Sequence, residues 1–162
     1  MGKEIDLMRF YPQSKGRLNE RPIIVEEDRV ISRKFGLDYF DGDRKHGYGG
    51  FSYHPRFWTD TVKLFASHYG LSQDAHILDV GCAKGFMLKD FKKLLPKSNL
   101  AGIDISDYAI EHADLEVKDF VCVGNASQLP YKDKHFDLVI SINTLHNLDR
   151  EGCISALSEI ER

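Results

Sequence analysis

The sequence is short of cysteine, lacks any long apolar run, and carries no excess of positive charge. Each shortage excludes something. Cys82, Cys122 and Cys153 are odd in number, widely spaced, and set in apolar or motif surroundings. That pattern suits reduced thiols in a cytoplasmic protein better than a disulfide framework or a zinc site. No stretch approaches the ~20 apolar residues that span a bilayer, and residues 1–10 lack the apolar segment of a signal peptide, so no membrane partner is expected. The formal charge of −3 argues against nucleic acid as a partner, because phosphate contacts need a clustered basic surface. Lys89, Lys92, Lys93 and Lys97 do fall close together, and are read as a solvated helix face. His46, His54, His68, His76, His112 and His135 show no ligand spacing, so no metal is expected.

What remains is the composition of a globular protein, 42% hydrophobic and 29% charged over 162 residues. That length builds one domain with a real core. Its texture changes near residue 54. Residues 1–54 are irregular, with Pro12, Pro22 and many charges, and only Ile23-Ile24-Val25 and Val30-Ile31 suggest short strands. A glycine and aromatic cluster, residues 39–51, closes this extension. It is either a lid, with Tyr48, Phe51 and Arg44 covering a ligand, or a loop whose aromatics fill gaps beside the sheet.

From Pro55 the pattern becomes regular. Pro55 suits a first helical turn, Trp58, Val62, Phe65 and Tyr69 recur at helical spacing, and Gly70 is a natural stop. Residues 76–80 read as a buried strand, 86–95 as a helix, 100–103 as a second strand, and 106–113 as a helix capped by Ser106. Residues 120–123 and 136–142 follow as strands, the latter buried on both faces. Residues 150–162 read as an amphipathic helix with Ile154, Leu157 and Ile160 inward. This alternation predicts an α/β fold: a doubly wound, mostly parallel Rossmann-like sheet with an irregular N-terminal extension.

In such a sheet the ligand sits beyond the carboxyl ends of the strands. The first strand runs into Gly81-Cys82-Ala83-Lys84-Gly85, where glycines let the backbone turn tightly against a ligand and the next helix aims its first amides at it. Asp104 closes the second strand, where a carboxylate can accept hydrogen bonds from both hydroxyls of a ribose. The loop lacks the full Gly-x-Gly-x-x-Gly of a dinucleotide site. Asp79 beside it would repel a pyrophosphate but attract a cationic amino-acid group.

Taken together, residues 78–85, 102–106, 124–131 and 136–141 resemble the four successive motifs of the class I S-adenosylmethionine-dependent methyltransferases, in that family's order and spacing, and the small-molecule type in particular. The resemblance implies S-adenosylmethionine as cofactor and a small-molecule acceptor. Asp79, Gly81 and Gly85 would hold the methionine end, with Cys82 and Ala83 completing that loop. Asp104 would hold the ribose. Ile105, Asn125 and Ala126 would line the adenine, Asn125 standing where the family usually has Asp. Residues 141–148, with Ser141 and Asn143 among the cofactor contacts, would face the transferred methyl. His146, the candidate catalytic residue, would be a general base or would only line the site.

The resemblance also implies a further strand after the last helix. A domain over 55–162, incomplete at the C-terminus, is therefore expected behind the extension or lid of 1–54. Two rival functions remain: a non-catalytic S-adenosylmethionine-binding module completed by another chain, and, more weakly, a nicotinamide oxidoreductase. A homo-oligomer is left open.

Overall fold

The structure, a computed structural model, describes residues 4–12 and 23–162. Its centre is strand β1, His76–Val80, which is apolar apart from His76 and Asp79, and buried from Ile77 onward. β2 (Asn99–Asp104), β3 (Val121–Val123) and β4 (Leu138–Ile140) complete a four-stranded sheet in the order β3-β2-β1-β4. Every pairing is parallel. The order reverses beside β1, which makes the carboxyl end of that strand the switch point of the sheet.

Period-two alternation along β1 sends its residues to two cores. Ile77 faces a cluster with Val62 and Phe65 of helix α3 (Pro55–Tyr69) and Leu88 and Phe91 of helix α4 (Phe86–Leu94). Leu78 and Val80 face the other side, against Ala156 of helix α6 (Arg150–Glu161). Full burial of each large side chain contributes about 1.5–3 kcal/mol. The caps follow the sequence: Pro55 opens α3, Gly70 closes it at φ 61°, and the Ser106 hydroxyl accepts the Ala109 amide to open helix α5 (Asp107–Glu111). These elements confirm the doubly wound parallel sheet.

Three expectations need correction. Val30 and Ile31 lie in helix α1 (Glu26–Ser32), not in a strand, and Ile23, Ile24 and Val25 are exposed irregular chain. Three acidic residues in the first turn suit the helix dipole, and the Asp28 carboxylate accepts the Val25 amide at 3.1 Å. Pro22 lies outside the described residues. In α6 the inward residues are Ala156 and Ile160, four apart, whereas Ile154 and Leu157 are exposed because they occupy a face turned away from β1. α5 stops at Glu111, short of Ala113. The clustered lysines are partly neutralised: Lys89 pairs with Asp114 at 2.8 Å and Glu116 at 2.9 Å, and Lys92 donates to the Glu116 carbonyl at 2.6 Å.

Candidate functional site

Past Val80 the chain must leave the sheet without closing over its end. Gly81 does this at φ 87°, where an added Cβ would strike the Thr144 side chain, so glycine is required for backbone reasons and for packing. The Gly81 and Cys82 amides return to the Ile103 carbonyl at 2.7 and 3.1 Å. Gly85, at φ 75°, brings helix α4 so close that a Cβ would lie 2.8 Å from a Val117 methyl carbon. Between them Ala83 is held at φ 49°, a left-handed conformation that costs a non-glycine residue about 1–2 kcal/mol. Asn143 adopts the same region at φ 57° after β4. Strained backbone gathers at this end of the sheet and almost nowhere else in it.

Two cavities open there and share Gly81, Ala83, Tyr48, Ile142 and Asn143 as their common wall. The smaller, about 190 Å³, is bounded by Asp104, Ile105, Asn125 and Ala126 on the sheet side. The Asp104 carboxylate accepts the Ala83 amide at 2.8 Å and the Ser106 amide at 2.9 Å, one on each oxygen. Its position is thereby fixed, and each oxygen keeps a lone pair for a ligand. Asn125 Oδ1 accepts the Ser127 amide at 2.9 Å and likewise retains one acceptor site. The larger cavity, about 670 Å³, has Asp79 and Cys82 in its base and Phe57, Trp58 and Phe86 in its walls.

Asp79 is the electrostatic anomaly. It is 4% exposed and finds no hydrogen-bond or ion-pair partner among the described residues. Desolvation, reinforced by the nearby Asp104 charge, pushes its pKa up to about 8. Burial raises the Asp104 carboxyl as well, against the amides that hold it down. The Cys82 thiol is pushed far up by burial and by the same two carboxylates, which makes it unreactive. A lone buried carboxyl facing a cavity is suited to a cationic group.

The extension, with the short helix α2 (Leu37–Phe40), covers this end of the sheet. Phe35, Tyr39, Phe40 and Tyr48 form the outer wall of the smaller cavity, their rings meeting mostly edge to face. Lys84, in the middle of the glycine loop, fastens them: its ammonium reaches Asp41 at 2.6 Å and the Phe51 carbonyl at 3.0 Å. Desolvation would raise the Asp41 carboxyl, but Lys84, the Phe51 amide and the Tyr108 hydroxyl together hold it down at about 2. The Ser106 hydroxyl donates to the Phe35 carbonyl at 2.5 Å, and Tyr53 donates to buried Asp90 at 2.6 Å.

Of the residues singled out from sequence, Asp79, Gly81, Cys82, Ala83, Asp104, Ile105, Asn125, Ala126 and Asn143 line one cavity or both. Gly85 and Ser141 do not: Gly85 serves the approach of α4, and the Ser141 hydroxyl donates back to the Val80 carbonyl at 3.1 Å. His146 sits exposed on the short helical turn Leu145–Asn147 and lines neither cavity. Thr144 lies in the stretch 141–148 expected at the transferred methyl and lines the smaller cavity, whereas Phe35 and His54 carry no site role in the sequence. Lys84 lies inside the glycine loop, where nothing local marks its partner Asp41, and His54 shows no ligand spacing.

Residues 78–162 match the family model described as a methyltransferase domain. An uncharacterised protein of Methanocaldococcus jannaschii is 31% identical over 103 residues, covering 64% of this chain and 42% of that protein. A malonyl-[acyl-carrier protein] O-methyltransferase of Hahella chejuensis is 33% identical over 87 residues, covering 51% of this chain and 30% of its own length. Among solved structures, the S-adenosylmethionine-bound amino pentose methyltransferase of Micromonospora echinaspora superposes with a TM-score of 0.53 at 21% identity, over 64% of this chain and 43% of the other. The chain thus spans less than half the length of each of these relatives.

Proposed function

The chain belongs to the methyltransferase-domain family, and from that premise we propose that it binds S-adenosylmethionine across the two cavities and transfers its methyl group to a small-molecule acceptor. The single observation that carries this reading is the buried carboxyl of Asp79 at the carboxyl end of β1, which has no partner among the described residues. The residues present fit the cofactor. Asp79 supplies a carboxylate for an α-ammonium group, Gly81 and Ala83 keep the backbone low beneath the thioether chain, and Asp104 offers one lone pair to each ribose hydroxyl. Ile105 and Ala126 provide the apolar faces that an adenine ring stacks against, and Asn125 Oδ1 can accept from its amino group.

When bound, S-adenosylmethionine would supply an electrophilic methyl to a lone pair of the acceptor, with the carbon–sulfur bonding pair retained on sulfur and any acceptor proton released. The chain contributes position and dryness. Asp104 and Asp79 fix the two ends of the cofactor, and the Phe35 to Tyr48 wall excludes water from its middle. His146, exposed and outside both cavities, is not needed as a base in this reading. A cytoplasmic location accords with reduced cysteines, and no helix among the described residues is long and apolar enough to cross a membrane. Calorimetric titration with S-adenosylhomocysteine tests the proposal. A saturable one-to-one heat is expected; its absence from a sample folded by circular dichroism overturns it.

A further inference from the structure

The larger cavity has an unusual distribution of charge. Among the described residues its one carboxyl, Asp79, is at the buried base, whereas its exposed residues include Arg44, His54 and Arg56. Neither arginine pairs with a carboxylate among the described residues. The Arg56 guanidinium lies over the Phe57 ring at 4.7 Å from its centre, held by stacking with its donors unspent among the described residues. Arg44 uses one nitrogen on the Gly47 carbonyl and spends no other on the described residues. His54 Nδ1 accepts the Arg56 amide at 3.2 Å, so in the neutral ring the proton sits on Nε2. Nε2 is therefore a donor whether or not the ring is charged. Pro55 and Arg56 begin helix α3, whose first turn holds no acidic residue, so its dipole adds to the same sign of potential. Between this rim and Asp79 the walls are aromatic: Phe51, Phe57, Trp58 and Phe86.

Resting on the methyltransferase reading above, we propose that the acceptor is an aromatic or similarly flat small molecule bearing a carboxylate or phosphate, which Arg56, His54 and Arg44 grip at the rim while its body lies along the aromatic walls toward the cofactor. About 670 Å³ accommodates such a molecule together with the methionine end of the cofactor. The cofactor's own carboxylate is the competing claimant for these donors. It brings one negative charge, and three donor side chains stand at the rim.

Trp58 is the chain's one tryptophan and forms part of the cavity wall, so its fluorescence reports occupancy directly. The protein saturated with S-adenosylhomocysteine is titrated with 4-hydroxybenzoate, phenyl phosphate and the uncharged 4-hydroxybenzamide. At least one acid is expected to change the emission saturably, at least about tenfold more tightly than the amide, which is the scale of one charge-assisted hydrogen bond. The tighter of the two acids identifies the carboxylate or the phosphate as the recognised group. Arg56→Gln should weaken that acid about tenfold while leaving the S-adenosylhomocysteine dissociation constant within about twofold, and Arg29→Gln, on α1, should change neither. Equal binding of acid and amide, no saturable response to either acid, or an Arg56→Gln loss in S-adenosylhomocysteine affinity as large as that for the acid overturns the proposal. Failure of the wild-type protein to bind S-adenosylhomocysteine would instead overturn the reading beneath it.

Discussion

At Asp79 the carboxyl is protonated near neutral pH because burial and Asp104 raise its pKa to about 8. A bound ammonium group favours the ionised form, so binding below that pKa must expel a proton. The affinity for S-adenosylhomocysteine should therefore rise with pH through the range 6 to 8, by up to about tenfold per unit, as expected for one coupled proton. Calorimetry in two buffers of different ionisation enthalpy should show close to one proton released per site at pH 6.5. A pH-independent constant would remove Asp79 from the contact. Ala83, two residues past Gly81, supports a second expectation. Its left-handed backbone, φ 49°, is strained for alanine, whereas glycine adopts it freely at an entropic disadvantage. Ala83→Gly should thus stabilise the fold slightly, by about 0.5–1 kcal/mol, seen as a rise of a few degrees in Tm. A fall of similar size would show that the methyl group packs usefully between the two cavities.

The glycine loop and the segment 35–53 act as one unit because Lys84 joins them. Its side chain is 9% exposed, and that of Asp41 is 31% exposed. Lys84→Met keeps much of the side-chain volume but leaves the Asp41 carboxylate with only Tyr108 and the Phe51 amide. A loss of about 1–3 kcal/mol in stability is expected, with limited proteolysis moving to residues 35–53 and S-adenosylhomocysteine slowing the cleavage. An unchanged cleavage pattern would mean that the aromatic contacts alone hold the cover. This joint was invisible in the sequence, since its partners are separated by 43 positions and nothing local marks either one. The elements that were legible carry their own signals: Pro55 and Gly70 bracket α3, Ser106 caps α5, and the apolar run of β1 admits no other reading. Val30 and Ile31 misled because two β-branched residues suggest a strand, while the acidic first turn and Asp28 favour helix α1. Ile154 and Leu157 misled because helical spacing defines a face without saying which face meets the sheet. At the site, the residues set by strand ends were readable, whereas Phe35 and His54 enter only through the folding-back of the extension.

Over the whole molecule the two outlying carboxyls oppose each other. Asp41 titrates at about 2 when folded, against about 4 in an unfolded chain, so its stabilising effect is complete above pH 4 and lost as pH falls through 2. Asp79 has the reverse sign. With a folded pKa of about 8, the native state holds a proton that the unfolded chain has already released between pH 4 and 8. Stability must then decline across that interval, at a limiting slope of about 1.4 kcal/mol per pH unit for a single group. Other ionisations reduce the net slope, so the isosteric Asp79→Asn variant, which cannot titrate, provides the reference. Chemical denaturation of both proteins from pH 5 to 8 should show the wild type losing several kcal/mol relative to the variant. The difference should narrow when S-adenosylhomocysteine saturates the wild type, because the ligand's ammonium then compensates the ionised carboxylate. Parallel pH profiles for the two ligand-free proteins would mean that Asp79 is ionised in the folded state at neutral pH. The site would then be prepared for its cation before binding, with no proton released when the ligand arrives.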